Sequence, residues 1–438
     1  MSLLELVARG KKDTFFIANP SVTFFNSVYM RSAPFTKEIY LSNPRNVPEW
    51  GNWTEFEIEH RGDIIKNFYL RVDLPSWLPS EIVNIPAIIT DISGISYNWC
   101  NSIGFQMINR VQIMQDQVIL HEIYGEYLSW YYRQQYTSAA YSIISENVNG
   151  NPFLRIPLPI IGSQRIGEPG LPMCALRGQR LRIRILFRPV NELIIASDGH
   201  LNPQPWGIPL SVQLTKSGPI TTYTSLPKPR TFSAQLEQTV IYVKSDIQTW
   251  LKSQIIRIPF TNIQHFEYTI SDNQLTASSL NRTVVHQIPL KLDFIGPVSR
   301  MLLGIRSTAA TDAGDREKLT ASNGAPFIRS IRLNIANIDR IQQMNTVLFK
   351  AFTDYWKFAG SNDLEVYTIT FGGAMHSNMP CGTLSLTRAS QPNLHIILNN
   401  IPYDPRNISR AAKAILYVET WNIYEIGNDV GKLMFDES

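Results

Sequence analysis

ANPSVTFFNSVYMRSAPFTKEI (Ala18 to Ile39) and HRGDIIKNFYLRVDLP (His60 to Pro75) decide how this chain is read. Asn19-Pro20 punctuates a short apolar arm, and the second block is a turn feeding a strand. Arg61-Gly62-Asp63 supplies the turn chemistry. Phe68, Leu70, Val72 and Leu74 then alternate with Tyr69, Arg71 and Asp73 until Pro75 stops the ladder. Alternation of this kind puts one face in a core and leaves the other for water or a second surface.

The same punctuation runs the length of the chain. With 27 prolines and 24 glycines between short β-branched and aromatic runs, an all-β sandwich architecture is expected rather than a parallel α/β sheet. Arg110-Val111-Gln112-Ile113 and Leu181-Arg182-Ile183-Arg184-Ile185 alternate most clearly. Further strands are expected near residues 56–59, 118–123, 153–157, 238–243, 254–259, 284–292, 299–305, 328–336, 365–371, 395–398 and 414–426.

NPQPWGIPL and SGPITTYTSLPKPR interrupt regular pairing between Pro203 and Pro229, which suits a linker between two halves of normal domain size. The halves repeat a pattern. SIGFQMINRVQIMQDQVIL followed by EIYGEYLSWYYRQQY is matched by GAPFIRSIRLNIANIDRIQQMNTVLFKAFTDYWKF: Gly and Phe, an alternating strand, then an amphipathic helical stretch. Expected boundaries are an arm at 1–23, a first unit at 24–215, a linker at 216–230 and a second unit at 231–438. Each unit is a sandwich with short helices inserted in loops.

Composition excludes several classes of function. The net charge of +4 comes with no run of like charges, so direct nucleic-acid binding is not expected. Cys100, Cys174 and Cys381 stand far apart and suit free thiols in a reducing compartment. The N-terminus has too short an apolar run for a signal peptide, and no stretch is long enough to span a bilayer. Asn52, Asn281 and Asn407 head glycosylation triplets, a pattern frequent by chance.

No catalytic, cofactor or metal set emerges. The seven histidines (His60, His121, His200, His265, His286, His376, His395) have no ligand spacing, and neither GxSxG nor a phosphate loop occurs. Asp312, Asp315 and Glu317 lie in STAATDAGDREKLTASNG (Ser307 to Gly324), but not at calcium-loop spacing. That stretch has little to bury and is expected to be an exposed, outward-facing loop that would display a tag at Gly314. The same is expected of residues 142–152, around Asn149-Gly150-Asn151. A tag at Ile183 or Leu333 is expected to abolish folding, because a one-residue slip inverts a strand. Trp, Tyr and Phe number 9, 18 and 20, more than catalysis needs and suited to cores and protein interfaces.

The order of these blocks resembles the double jelly-roll major capsid proteins of nucleocytoplasmic large DNA viruses. Ser96 to Ile113 is similar to the strand ahead of the family's first inserted helix, and Gly125-Glu126-Tyr127-Leu128 to that helix's start. Ile156 to Phe187 is similar to its long loop and following basic–apolar strand, and Pro380 to Ala389 to a late Pro-x-Gly segment. Leu384 to Thr387 and Ser32 to Phe35 depart from the family's usual residues at those places.

The resemblance implies two tandem eight-stranded jelly rolls and a non-enzymatic structural protein of an icosahedral virion. It implies a homotrimer forming a pseudo-hexagonal capsomer that meets neighbouring capsomers and minor capsid and penton proteins. The arm, Leu3 to Thr23, would face inward near an internal membrane. Synthesis would be in the host cytoplasm. The alternatives are an assembly scaffold or minor capsid paralogue of the same fold, or a carbohydrate-binding or carbohydrate-active sandwich. The last would need paired carboxylates, for which Asp63, Glu122 and Glu126 are the candidates.

Overall fold

The structure is a computed structural model; it describes residues 34–74, 88–91, 95, 97–145, 153–164, 168–204, 206, 210–213, 220–223, 228–271, 287–292, 294–321, 324–357, 364–372, 382–385, 392–399 and 411–435. The expected arm, the 146–152 loop tip, most of Pro380 to Ala389, Asn281 and Asn407 lie outside the described residues.

Among the described residues, sixteen strands form the four sheets of the two sandwiches. The first eight are β1 (Phe35–Ser42), β2 (Trp53–Ile58), β3 (Ile64–Asp73), β4 (Ile108–Gln115), β5 (Val118–Tyr124), β6 (Leu154–Leu158), β7 (Leu181–Phe187) and β8 (Ser233–Val243). The second eight are β9 (Ile256–Ile270), β10 (Gln287–Lys291), β11 (Pro297–Ser307), β12 (Ile328–Ile335), β13 (Ile338–Asn345), β14 (Tyr367–Thr370), β15 (Asn393–Leu398) and β16 (Ala412–Gly427).

They pair into four sheets of the same plan. Sheet A runs β1-β8-β3-β6 and sheet B runs β2-β7-β4-β5; sheet C runs β9-β16-β11-β14 and sheet D runs β10-β15-β12-β13. In each half the order is first-eighth-third-sixth and second-seventh-fourth-fifth. This is the strand order of a jelly roll, made twice. Helix α1 (Gly125–Gln135) follows the fifth strand of the first half, and α2 (Thr346–Lys357) follows the fifth strand of the second. The internal repeat expected from the sequence is therefore a repeat of topology.

Alternation explains how the sheets face. Phe68, Leu70 and Val72 of β3 meet Ile183 and Ile185 of β7 and Phe56 of β2 in one apolar core. Leu303 and Ile305 of β11, Ile331 and Leu333 of β12 and Leu416 and Val418 of β16 build a second. Pro259 stands within β9, where Pro lacks a ladder N–H; β9 is an edge strand of sheet C, the place such a residue is tolerated.

Two sequence expectations are corrected here. β8 pairs with β3 along Ser233↔Asp73 to Ile241↔Ile64, so sheet A extends to Val243. The second unit thus does not start at 231, and the Pro-rich stretch is an insertion within the first half. Leu210–Gln213 pairs there with both Ile220–Tyr223 and Ile88–Asp91. Pro and Gly interrupt pairing in an insertion just as in a linker, which is why composition misplaced the boundary. The connection between halves is instead Lys244 to Ile255, carrying the helix Ser245–Ser253.

The Ser307–Gly324 stretch is not an outward loop either. It opens with the short helix Thr308–Asp312, capped by the Ser307 side chain accepting from the Ala310 N–H. Ala310, Arg316, Glu317, Leu319 and Ala321 are buried. Gly314 adopts φ +78° and its Cα lies so near the Ile194 carbonyl that a Cβ would overlap it, so this site has no room for a tag. Low apolar content was misleading because the segment buries charge.

Gly125 opens α1 where the backbone comes down on the Ile108 and Phe105 carbonyls; a Cβ there would overlap both. Gly125→Ala is expected to cost about 3 kcal/mol or more by forcing the helix off its seat, measurable as a lower denaturation midpoint at unchanged slope.

Candidate functional site: the seam between the halves

Sheet C is buried on both faces. Ala414, Leu416 and Val418 of β16 point into the second core, whereas Ile415 and Tyr417 join the first. The covering element on that outer face is the β5–α1 corner of the first half.

α1 is short, and its buried side is polar as well as aromatic. Glu126 in its first turn pairs with Arg306 at the end of β11, both buried. Arg306 also donates to Thr311 Oγ1 at 2.9 Å and to the Arg316 carbonyl at 3.1 Å. One residue on, the Tyr127 hydroxyl donates to Glu419 at 2.6 Å, and Arg300 Nε donates to the same carboxylate oxygen at 2.8 Å. Ser129 and Arg133 both donate to Glu317 at 2.7 Å, and Gln134 donates to Thr368 at 2.8 Å. Every turn of the helix is tied to the opposite half.

Aromatic rings fill the space between these ties. Trp130 meets Tyr417 edge-on at 5.3 Å, Tyr417 stacks on His265 at 4.8 Å, and Tyr124 packs against both, 4.9 Å from His265 and 5.7 Å from Tyr417. Gly304 lets the Trp130 ring approach β11: a Cβ there would sit 2.7 Å from it. Toward one end of the seam the Tyr424 hydroxyl donates to Gln115, whose amide donates to the Gly431 carbonyl at 2.6 Å. Gln164 clasps Thr261, accepting from its N–H at 2.7 Å and donating to its carbonyl at 2.8 Å.

Burial governs the titrating groups here. It holds His121, set edge-on against Phe260, down at about 3, and it lowers His265 as well. Burial also pulls Arg188 down to about 10, with Arg316 adding repulsion. The Tyr127 and Tyr417 hydroxyls are pushed well up by the same desolvation. The arrangement is one of neutral rings and closed ion pairs. It fixes two sandwiches in one orientation.

Residues 23–221 match the protein family described as "Major capsid protein N-terminus". By structure the chain is similar to VP54 of PBCV-1 (TM-score 0.73, 12% identity, covering 95% of this chain and 100% of that one). It is also similar to the Faustovirus major capsid protein (TM-score 0.65, 11% identity, 96% and 94% covered). This chain has the double jelly-roll fold of the major capsid proteins of large DNA viruses. Among curated relatives, "Probable capsid protein 4" of Acanthamoeba polyphaga mimivirus is 28% identical over 207 residues, 43% of this chain and 38% of that protein. "Capsid protein 1" of the same virus is 26% identical over 220 residues, 45% of this chain and 36% of that protein. The chain thus spans less than two fifths of the length of these curated relatives.

In this double jelly roll the candidate carboxylates have separate structural duties. Asp63 is buried and accepts from the Val243 N–H at 2.8 Å, tying the Arg-Gly-Asp turn to β8. Gly62 there has φ +73°, and Arg61 lies over the Tyr40 ring at 4.4 Å while pairing with Glu38. Glu122 accepts from Gln112 and Tyr124, and Glu126 belongs to the seam. Asp315 and Glu317 are also seam residues, burial raising the Asp315 carboxyl; the Asp312 carbonyl receives the Asn202 N–H at 2.7 Å. Among the described residues no group of three His, Cys, Asp or Glu is placed to hold a metal. Cys100 and Cys174 are free and buried, and His60 meets the Leu176 carbonyl at 2.9 Å.

Arg300, Arg306 and Glu419 escaped the sequence analysis. A signal was there: single charges set inside apolar runs, as in MLLGIR and LYVET, at positions where a strand buried on both faces has no solvent to offer them.

Removing one member of the Glu126–Arg306 pair strands the other. Glu126→Leu is expected to cost about 3–5 kcal/mol, and Glu126→Leu with Arg306→Met much less, read from denaturant unfolding of the double-mutant cycle. Acid should loosen the same seam. His121 stays neutral in the folded chain down to about pH 3, whereas unfolded chains take up that proton near 6.5. Stability is therefore complete above pH 6.5 and falls as pH drops toward 3, by at most about 4–5 kcal/mol from this residue. His121→Leu should move the acid-unfolding midpoint to lower pH; an unchanged midpoint would mean that His121 is not held neutral.

Proposed function

We propose that this chain is the structural protein of an icosahedral virion shell, working as a homotrimer whose six jelly rolls form a pseudo-hexagonal block. The observation that carries this reading is the repetition of one jelly roll twice, locked by a buried seam rather than tethered by a flexible linker. A rigid pair of equivalent lobes is what a three-fold assembly needs to imitate six-fold symmetry. The names and folds of the relatives support the same reading.

In this reading the first jelly roll comprises β1 to β8 and the second β9 to β16. Walls of the sandwiches meet neighbouring capsomers, and minor capsid and penton proteins complete the shell. The chain carries out no catalysis, binds no nucleic acid directly, and is made in the host cytoplasm, where buried thiols such as Cys100 and Cys174 stay reduced. The 1–23 arm faces inward, near an internal membrane. Among the described residues no helix is long and apolar enough to cross one.

Size-exclusion chromatography with light scattering on the full chain tests the proposal. The expected mass is three times 49.9 kDa at micromolar concentration; a strict monomer that also binds a glycan array would favour the carbohydrate-binding sandwich instead.

A further inference from the structure

We propose that the β13–α2 corner of one copy docks on the outer face of sheet A of a second copy, reproducing between chains the seam that joins the halves within one. This rests on the capsomer reading above and names the surfaces that would build it.

The repeat supplies the argument. Within the chain, the β5–α1 corner of the first jelly roll covers the outer face of sheet C. The second jelly roll owns the corresponding corner, and the first owns the corresponding sheet. Aligning the helix starts sets Gly125 against Thr346, Glu126 against Val347, Tyr127 against Leu348 and Leu128 against Phe349. Leu128 and Phe349 are each buried in their own sandwich core. Glu126 and Tyr127 reach across the seam to Arg306 and Glu419, whereas Val347 and Leu348 are 76% and 51% exposed. Ile338, at the start of β13, is exposed too. An apolar helix corner in open water is a docking element in need of a sheet.

Sheet A presents what the corner needs. Opposite the core-facing Leu70 and Leu236, its outer face carries Tyr69 of β3, with Arg155 of β6 stacked over the ring at 3.9 Å and bonded to Glu237 of β8. Glu237 stands on the strand that holds the same rank in sheet A as Glu419's strand holds in sheet C. On the edge strand β1, Ile39 and Leu41 alternate with the core-packed Tyr40 and are 59% and 38% exposed. Beside Tyr69 opens a cavity of about 200 Å³ walled by Tyr131, Tyr136 and Pro157, large enough for an apolar side chain. Tyr and Arg framing an apolar slot is the composition of an interface centre.

The contact is heterologous: the corner of one copy meets the sheet of the next, so each chain offers one of each, and a third of a turn per copy, as the capsomer reading requires, closes the ring at three. Light scattering across a dilution series of the full chain tests it. Leu348→Arg on the corner and Ile39→Arg on the sheet should each raise the concentration for half-assembly at least tenfold, with the monomer's thermal melt unchanged. Trp250→Arg, at an exposed apolar residue elsewhere, should have no effect. Mixing Leu348→Arg with Ile39→Arg leaves one intact contact per pair and should give dimers, not trimers. Should Leu348→Arg melt early, Leu348→Ser and Val347→Ser carry the same expectation. Trimers that withstand both the corner and the sheet variants would overturn this assignment and leave the capsomer reading standing. A wild-type chain that never exceeds a monomer would instead remove the capsomer reading, and this contact with it.

Discussion

Burial of sheet C on both faces is the constraint that the rest of the structure obeys. A jelly roll normally needs one apolar face per sheet. β16 carries two, and its outer one is charged as well as apolar, with Glu419 buried in line with Ile415, Tyr417 and Trp421. Such a face cannot be left to water without losing its apolar gain, nor covered by plain hydrocarbon without stranding its charges. The α1 helix answers both demands with a Glu, a Tyr, a Ser and an Arg aimed at specific partners and a Trp laid between them.

That choice exchanges strength for orientation. Closed buried ion pairs contribute little net stability compared with apolar replacements, yet they accept only one alignment. Glu126 finds Arg306, and Tyr127 finds Glu419, at a single setting of one sandwich on the other. The asymmetry between the halves follows. The first half's corner is polar and its partner sheet is in the same chain; the second half's corner carries Val347 and Leu348 in the equivalent places.

Much of the fold could be read from residues, and the failures have physical causes. Strands with one wet face, such as Leu181–Phe187, were legible because alternation is strict. β13 stands outside the expected strands, since its mostly exposed residues carry no period-two signal. The strand expected at 254–259 ends where Pro259 stands, whereas β9 runs on to Ile270, because at a sheet edge Pro costs no ladder bond. The seam was invisible for a different reason: Glu317 and Arg316 read as solvent-loving, and whether a charged loop lies in water or against a matching group is decided by residues 124 to 188 positions away. Family order, by contrast, was legible at once in the blocks around Tyr97 to Ile113 and Ile156 to Phe187.

The position of β16 has a consequence for how the protein is made. It is the last of the sixteen strands to leave the ribosome, yet it lies between β9 and β11 in sheet C. Until residue 427 has emerged, β9 and β11 have no common neighbour, and α1 lacks the part of its seat that Tyr417 and Glu419 supply. Long-range pairing of this kind folds slowly and leaves strand edges open while it waits. A chain that stops a few dozen residues early is therefore not a slightly shortened version of this fold. It is a molecule with a split sheet, whose unpaired β9 and β11 edges are open to pairing with other chains.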